Sequence, residues 1–186
     1  MKILLIGANG NIGKLIYPAL AENHEVITAG RSHGDLKVDI TSISSIEELF
    51  KQLTNIDAVI CTAGDSTSSE LHLMNDEKYL AGIQHKLLSQ INLVLVGMKY
   101  LNDNGSFTLI SGKMGEKPAK ASSGKAVANG AINSFVLGAA LEMPRGIRIN
   151  VVSPAKITDI PATDLVAGYL KSINTVCNGE IIRIGY

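Results

Sequence analysis

The chain has 186 residues, and its 17 Lys+Arg against 17 Asp+Glu leave no net formal charge. This argues against a nucleic-acid partner, because that class normally presents a basic face. Hydrophobic residues make up 46%, yet the longest apolar runs, such as Ile3 to Ile6 and Leu93 to Val96, are strand-sized and far below the roughly 20 residues that cross a bilayer, so no membrane partner is expected. A chain of this length buries about 70% of its unfolded surface, so one domain with an ordinary core is expected over residues 1–186.

Lys2 to Ile6 is a short β-rich run, followed by the turn Gly7-Ala8-Asn9-Gly10-Asn11-Ile12-Gly13 and a helical pattern of Ile12, Leu15, Ile16 and Leu20. Pro18 inside that pattern predicts a kink or an early end. Glu25 to Ala29 reads as a second strand and Lys37 to Ile40 as a short third. Ser44-Ser45-Ile46-Glu47 has the form of a capping box with Ser44 as N-cap, which predicts a helix running to near Thr54. Ala58 to Thr62 reads as a buried strand that ends at Ala63-Gly64, and the Ser/Thr-rich stretch Asp65 to Ser69 as a loop over an active face. A long helical region from about Glu77 to Leu101, a strand at Ser106 to Ser111, a helix at Ser122 to Leu141 and a strand at Ile147 to Val152 come next. A last helix near Thr163 to Ile173 leads to a closing strand at Glu180 to Ile184. Alternation of this kind predicts a three-layer α/β/α architecture: a doubly wound parallel sheet of about seven strands with helices on both faces.

The two cysteines, Cys61 and Cys177, lack CxxC or Cys/His spacing; both are expected as buried thiols, with no metal site. The short apolar start is no secretory h-region, so a reducing cytoplasm is the expected location. Chemistry concentrates at the glycine turn. It follows a strand and opens a helix, the setting in which glycines let the backbone approach a pyrophosphate held by a helix N-terminus. Its spacing is G-x-x-G-x-x-G, over Gly7, Gly10 and Gly13, and a tight turn without a ligand is the alternative. At the end of the second strand an acid would read the ribose 2′-OH of NAD, whereas an Arg accommodates the 2′-phosphate of NADP. Here Gly30-Arg31-Ser32-His33 carries no acid. Arg31 is therefore expected to pair with the 2′-phosphate, assisted by Ser32 and His33, against the alternative of a solvated surface arginine. NADP(H) is the expected cofactor, with NAD(H) as the alternative.

These residues resemble the short-chain dehydrogenase/reductase family, and the likeness runs through nearly the whole chain. Val38-Asp39-Ile40-Thr41 looks like the family's adenine-contacting segment, Cys61-Thr62-Ala63-Gly64 like its Asn-Asn-Ala-Gly strand end, and Ile91-Asn92-Leu93 like the helix bearing its catalytic Asn. Glu142 to Ala155, through Pro144-Arg145-Gly146-Ile147-Arg148-Ile149-Asn150, is the most specific match. The resemblance implies a Rossmann-type fold and hydride transfer between NAD(P) and a carbonyl or alcohol, with a Tyr as acid/base and a Lys four residues later. Lys125 matches that Lys, while Ala121 stands where the Tyr is expected. The catalytic Ser falls at Gly112, with Ser111 one position early. The catalytic set implied is Asn92, Ser111 and Lys125. The cofactor set is Gly7, Asn9, Gly10, Asn11, Ile12, Gly13, Arg31, Ser32, Asp39, Ile40, Ala63, Gly64, Lys125, Pro154 and Thr158.

Tyr79, Tyr100, Tyr169 and Tyr186 have no Lys four residues on, and His24, His33, His72 and His85 read as surface residues. Only 32 residues follow Pro154, so a family-type lid over the substrate is not expected. By the same resemblance, helices around residues 85–101 and 122–141 would form a homodimer or a higher homo-oligomer. Two functional readings stand: an NADP(H)-dependent oxidoreductase acting on a small carbonyl or alcohol, and a non-catalytic NADP(H)-binding sensor or scaffold.

Overall fold

The computed structural model describes residues 1–186. Its strands are β1 (Lys2–Ile6), β2 (Glu25–Gly30), β3 (Leu36–Lys37), β4 (Ile56–Cys61), β5 (Leu101–Ile110), β6 (Arg148–Pro154) and β7 (Ile181–Ile184). They pair in parallel throughout, in one sheet of order β3-β2-β1-β4-β5-β6-β7. The helices are α1 (Gly13–Ala21), α2 (Ile43–Lys51), α3 (Asp76–Gly82), α4 (Ser89–Gly97), α5 (Ser123–Ala139) and α6 (Ala162–Asn174), with a π-helical turn at Ile83–Leu88 joining α3 to α4. This is the expected doubly wound, three-layer architecture.

Central strands of a parallel sheet are covered on both faces, and so read as continuous apolar runs. Alternate residues sort into two cores. Leu4, Ile6, Val59, Phe107, Leu109 and Val151 join Phe50 of α2, Leu93 of α4 and Ile132 of α5 on one face. Ile3, Leu5, Ala58, Ile60 and Val152 join Ile16 of α1 and Leu165 and Tyr169 of α6 on the other. Thr108, buried on the second face, meets Ser172 of α6 at 2.6 Å, so its hydroxyl is satisfied.

Several local expectations are corrected. The second helix starts two residues early: Ser42 is its N-cap, accepting from Ser45 N at 3.3 Å, so Ser44 lies inside the helix. Pro18 neither breaks nor ends α1, which runs nine residues from Gly13 to Ala21; the missing proline N–H removes only the bond to the Lys14 carbonyl. The fifth strand begins at Leu101 rather than Ser106, across a register shift against β4. Cys61 is buried, but Cys177 is only part-buried, and both are free thiols.

The backbone packs against itself most closely at the β1–α1 turn. Gly7 has φ +87°, which an L side chain rarely adopts. A Cβ on Gly13 would lie 2.2 Å from the Gly7 carbonyl oxygen and 2.6 Å from Ala8 Cα, both backbone atoms. Gly13→Ala is therefore expected to cost at least about 2 kcal/mol of stability, as overpacking against fixed backbone does. A urea unfolding curve checks it: the midpoint falls while the slope is unchanged.

Candidate active site

A cleft of about 640 Å³ opens at the carboxyl ends of β1, β2 and β4 and takes in Gly7, Arg31, Ser32, Ile40, Ala63 and Gly64 from the expected cofactor set. It sits where the strand order reverses between β1 and β4, the position at which open α/β sheets bind ligands. Thr62 locks its floor, because its Oγ1 donates to the carbonyls of Ile6 (3.0 Å) and Gly7 (3.1 Å) and ties β4 to the glycine turn. Gly10 N donates to Gly7 O at 2.9 Å, leaving Asn9, Gly10 and Asn11 exposed and Ile12 half-buried. No side chain caps α1. Bare backbone, small residues and an uncapped helix start make a cradle that a pyrophosphate fits.

Two acids, Asp35 and Asp39, stand near the rim beside β2. Asp35 is turned back onto β2, accepting from Thr28 N and Thr28 Oγ1, each at 2.8 Å, and those bonds hold its carboxyl below the usual range. Asp39 accepts from Thr41 Oγ1 (2.7 Å) and Thr41 N (3.0 Å). Those bonds, and more weakly Arg31, lower it too. Both acids are thus committed to protein donors. Arg31 is 69% exposed and reaches Asp39 only at 3.7 Å, a separation worth little at the surface, so its guanidinium remains open to an anion. Val38, Ile40 and Thr41 form the wall next to it.

Past Gly64, behind the cleft lining rather than in it, the π-turn brings in a buried lysine. Lys86 is 8% exposed. Its stem packs on Gly64, where a Cβ would meet Lys86 Cγ at 3.0 Å, and its Nζ donates to the Ser111 carbonyl at 3.1 Å. Burial pushes its ammonium down from an ordinary 10.5 to about 8, with Asp65 opposing the shift and Lys125 adding to it. Ser111 Oγ, beside that carbonyl, and Asn129 Oδ1, one helical turn past Lys125, are buried without a partner. Asn129 Nδ2 lies 3.1 Å from where a Gly112 Cβ would stand. Buried polar atoms are normally paired, so this concentration marks a polar inner end.

The structure brings together the glycine turn, Arg31, Ser32, Ile40, Ala63 and Gly64, with Asp39 behind Arg31. Ser111 directly follows β5, and Lys125 lies on α5 close enough to Lys86 to influence its charge; both, like Lys86, stand outside the cleft lining. Asn92 is on α4, six residues past Lys86 and outside the cleft lining. Thr158 is exposed, donates to Asp159 Oδ1 at 2.7 Å and is also outside the lining, while Pro154 ends β6 in the core. Ala121 precedes α5 with φ +61°, so it and Lys125 are not neighbours one helical turn apart. In α5 the partner of Lys125 at that spacing is Asn129. Of the tyrosines, Tyr79 donates to Ser123 Oγ at 3.0 Å, two residues before Lys125. Tyr100 stacks on Phe50, Tyr169 is wholly buried and Tyr186 bonds Ser153 and Glu116. His85 is a cleft residue rather than a plain surface one, and Asp65, Ser66, Thr67, Ala81 and Gly82 line the cleft as well. A lysine followed by Leu87-Leu88 in an apolar helix was the only trace of Lys86 in the sequence.

The family model described as enoyl-(acyl carrier protein) reductase matches residues 16–179. A short-chain dehydrogenase/reductase of Stachybotrys chlorohalonatus is 28% identical over 157 residues, 79% of this chain, which spans only 61% of that relative's length. The crystal structure of the protein lin1944 from Listeria innocua superposes with a TM-score of 0.95 at 43% identity, covering 100% of both chains. A small-chain dehydrogenase solved in complex with NADPH superposes at 0.87, covering 98% of this chain and 95% of its own, and at 23% identity it speaks for the fold alone.

The buried ammonium has a consequence for stability. Because Lys86 holds its proton less tightly in the fold than in the unfolded chain, the unfolded state binds more protons between about pH 8 and 10.5, and stability rises through that window. Below pH 8 the cost is fully present. Lys86→Met is expected to be more stable than the natural protein by about 1–3 kcal/mol at pH 7, an advantage that disappears by pH 10.5; parallel denaturant titrations at the two pH values measure it.

Proposed function

The chain belongs to the short-chain dehydrogenase/reductase family, and from that premise we propose that it is an NADP(H)-dependent oxidoreductase that moves hydride between the nicotinamide and a small carbonyl or alcohol. The observation that carries this reading is the cleft at the strand-order reversal, with a glycine cradle on its floor and an uncommitted arginine on its rim. In this reading Gly7, Asn9, Gly10, Asn11, Ile12 and Gly13 hold the pyrophosphate through backbone N–H groups. Arg31 and Ser32 take the 2′-phosphate. Asp39 and Ile40 frame the adenine, and Ala63 and Gly64 let the ribose pass over β4. Pro154 and Thr158 bound the nicotinamide end. The cofactor, when bound, supplies the hydride. Ser111 and Lys125 serve the reacting end, Ser111 through the carbonyl that anchors Lys86, and Asn92 supports them from α4. We also propose a homodimer through α4 and α5, whose outer faces leave Leu95 at 48%, Val127 at 45% and Leu137 at 50% exposure.

Calorimetric titration of nucleotide-stripped protein tests the reading without knowledge of the substrate. NADPH is expected to bind in the micromolar range or tighter, near −8 kcal/mol or better, with NADH weaker. Arg31→Ala is expected to weaken NADPH by roughly 10- to 100-fold, the worth of one charge-assisted bond, and to leave NADH unchanged. Equal loss for both nucleotides would remove the 2′-phosphate assignment.

A further inference from the structure

Strand order gives the proposed cofactor a direction. β2, with Arg31 at its end, lies on one side of β1, and β4 and β5 lie on the other. A dinucleotide anchored by its 2′-phosphate at Arg31 and its pyrophosphate at the glycine turn runs on toward Gly64, and the side chain against Gly64 is Lys86. That ammonium has three N–H donors, and one is engaged, by Ser111 O. It is held by a π-turn, a helix irregularity concentrated at functional sites. The groups that act on it from the packed elements are Asp65 after β4, Lys125 of α5 and Cys61 of β4. Burial pushes the Cys61 thiol up to about 12, so it brings no charge near neutral pH. Two lysines against one aspartate leave this end of the cleft cationic.

A nicotinamide ring is neutral when reduced and cationic when oxidised, and the remainder of the dinucleotide is identical in the two forms. A buried cation at the ring end therefore separates the forms by charge alone. We propose that Lys86 is coupled to the oxidation state of the cofactor, protonated beside the reduced ring and deprotonated beside the oxidised one, and so supplies the proton when a carbonyl is reduced. The inference rests on the cofactor reading above. The step balances. The carbonyl carbon takes a hydride, with its two electrons, from the reduced nicotinamide. The carbonyl oxygen forms an O–H bond as a Lys86 N–H bond breaks. The amine is left neutral beside a ring that has become cationic. The charge at this end is the same before and after, and solvent returns the proton once the oxidised cofactor leaves.

Binding measurements test this directly. NADPH and NADP⁺ are titrated into the protein at pH 6.5 and 9.5, either side of the Lys86 value of about 8. Titration of the 2′-phosphate is common to both nucleotides and cancels in their ratio. The expected preference for NADPH is roughly tenfold or more at pH 6.5, and severalfold smaller at pH 9.5. Calorimetry at pH 7.5 in buffers of different ionisation enthalpy should show about half a proton or more released with NADP⁺ and close to none with NADPH. Lys86→Met should give a flat ratio equal to the natural protein's at pH 9.5. Lys86→Arg, which keeps its charge throughout, should hold the high ratio at both pH values. A ratio in the natural protein that does not move with pH, or that moves equally in Lys86→Met, overturns the inference while leaving the cofactor reading standing. Failure of either nucleotide to bind at either pH overturns both. Should Lys86→Met fail to fold, the pH pair on the natural protein and the Arg variant still decide the matter.

Discussion

The divergence of two adjacent strands governs everything functional in this chain. β1 and β4 are hydrogen-bonded neighbours, yet the chain leaving β1 passes to α1 on one face of the sheet, while the chain leaving β4 passes to α3 and α4, with α4 packed on the other face. Right-handed crossovers permit no other arrangement once the strand order runs outward in both directions from this pair. Neither connection can cover the strand ends between them, and a crevice results. The glycine turn and Thr62 are its adaptations. Gly7 bends the backbone sharply enough to reach α1, Gly13 lets the helix approach that bend, and the Thr62 hydroxyl closes the seam to β4.

Positive charge stands on the rim of that crevice and behind its lining, in two different physical states. Arg31 stands in solvent, where its ion pair with Asp39 is long and screened. It costs the fold almost nothing and is open to exchange its partner for a phosphate. Lys86 is taken out of water and given one hydrogen bond, an arrangement that opposes folding. A side chain that only filled space in that position would be apolar. The expense of a buried ammonium becomes intelligible when its charge has work to do, which favours a chemically active site over a purely structural use of the fold.

Much of the architecture was legible from periodicity. Most strands and helices lie where their apolar pattern indicated, because a sheet buried on both faces demands continuous apolar runs and its covering helices demand one apolar stripe. Errors were local and have local causes. Ser42 and Ser44 both offer a hydroxyl within a turn of the same helix start, and only backbone geometry decides which is the cap: Ser42 is extended, with φ −112° and ψ 118°. Pro18 fell inside a short helix whose packing against α6 and β1 outweighs one lost bond. The β2 rim of the site was equally readable, since Arg31 follows its strand directly and needs no tertiary contact to be placed.

The inner end of the site could not be read in this way, and the π-turn is the reason. Extending a 3.6-residue period from Glu77 through to Leu101 assumes one unbroken α-helix, whereas the segment Ile83–Leu88 bonds i to i+5. Such a turn accommodates an extra residue and rotates every later side chain relative to the earlier ones, so a face assigned from one end is wrong at the other. Asn92 follows Lys86 by six residues, a rise of about 9 Å, so the two stand at different heights along the helix. Nothing in the sequence separates Lys86 from an ordinary solvated lysine, and only the closing of Gly64 over its stem and of Ser111 over its ammonium does so. The same irregularity that hides the residue from the sequence is what buries it: in a regular helix with one polar and one apolar stripe, a lysine turns toward water. The helix defect, the buried charge and the position at the inner end of the crevice are thus one feature of the fold.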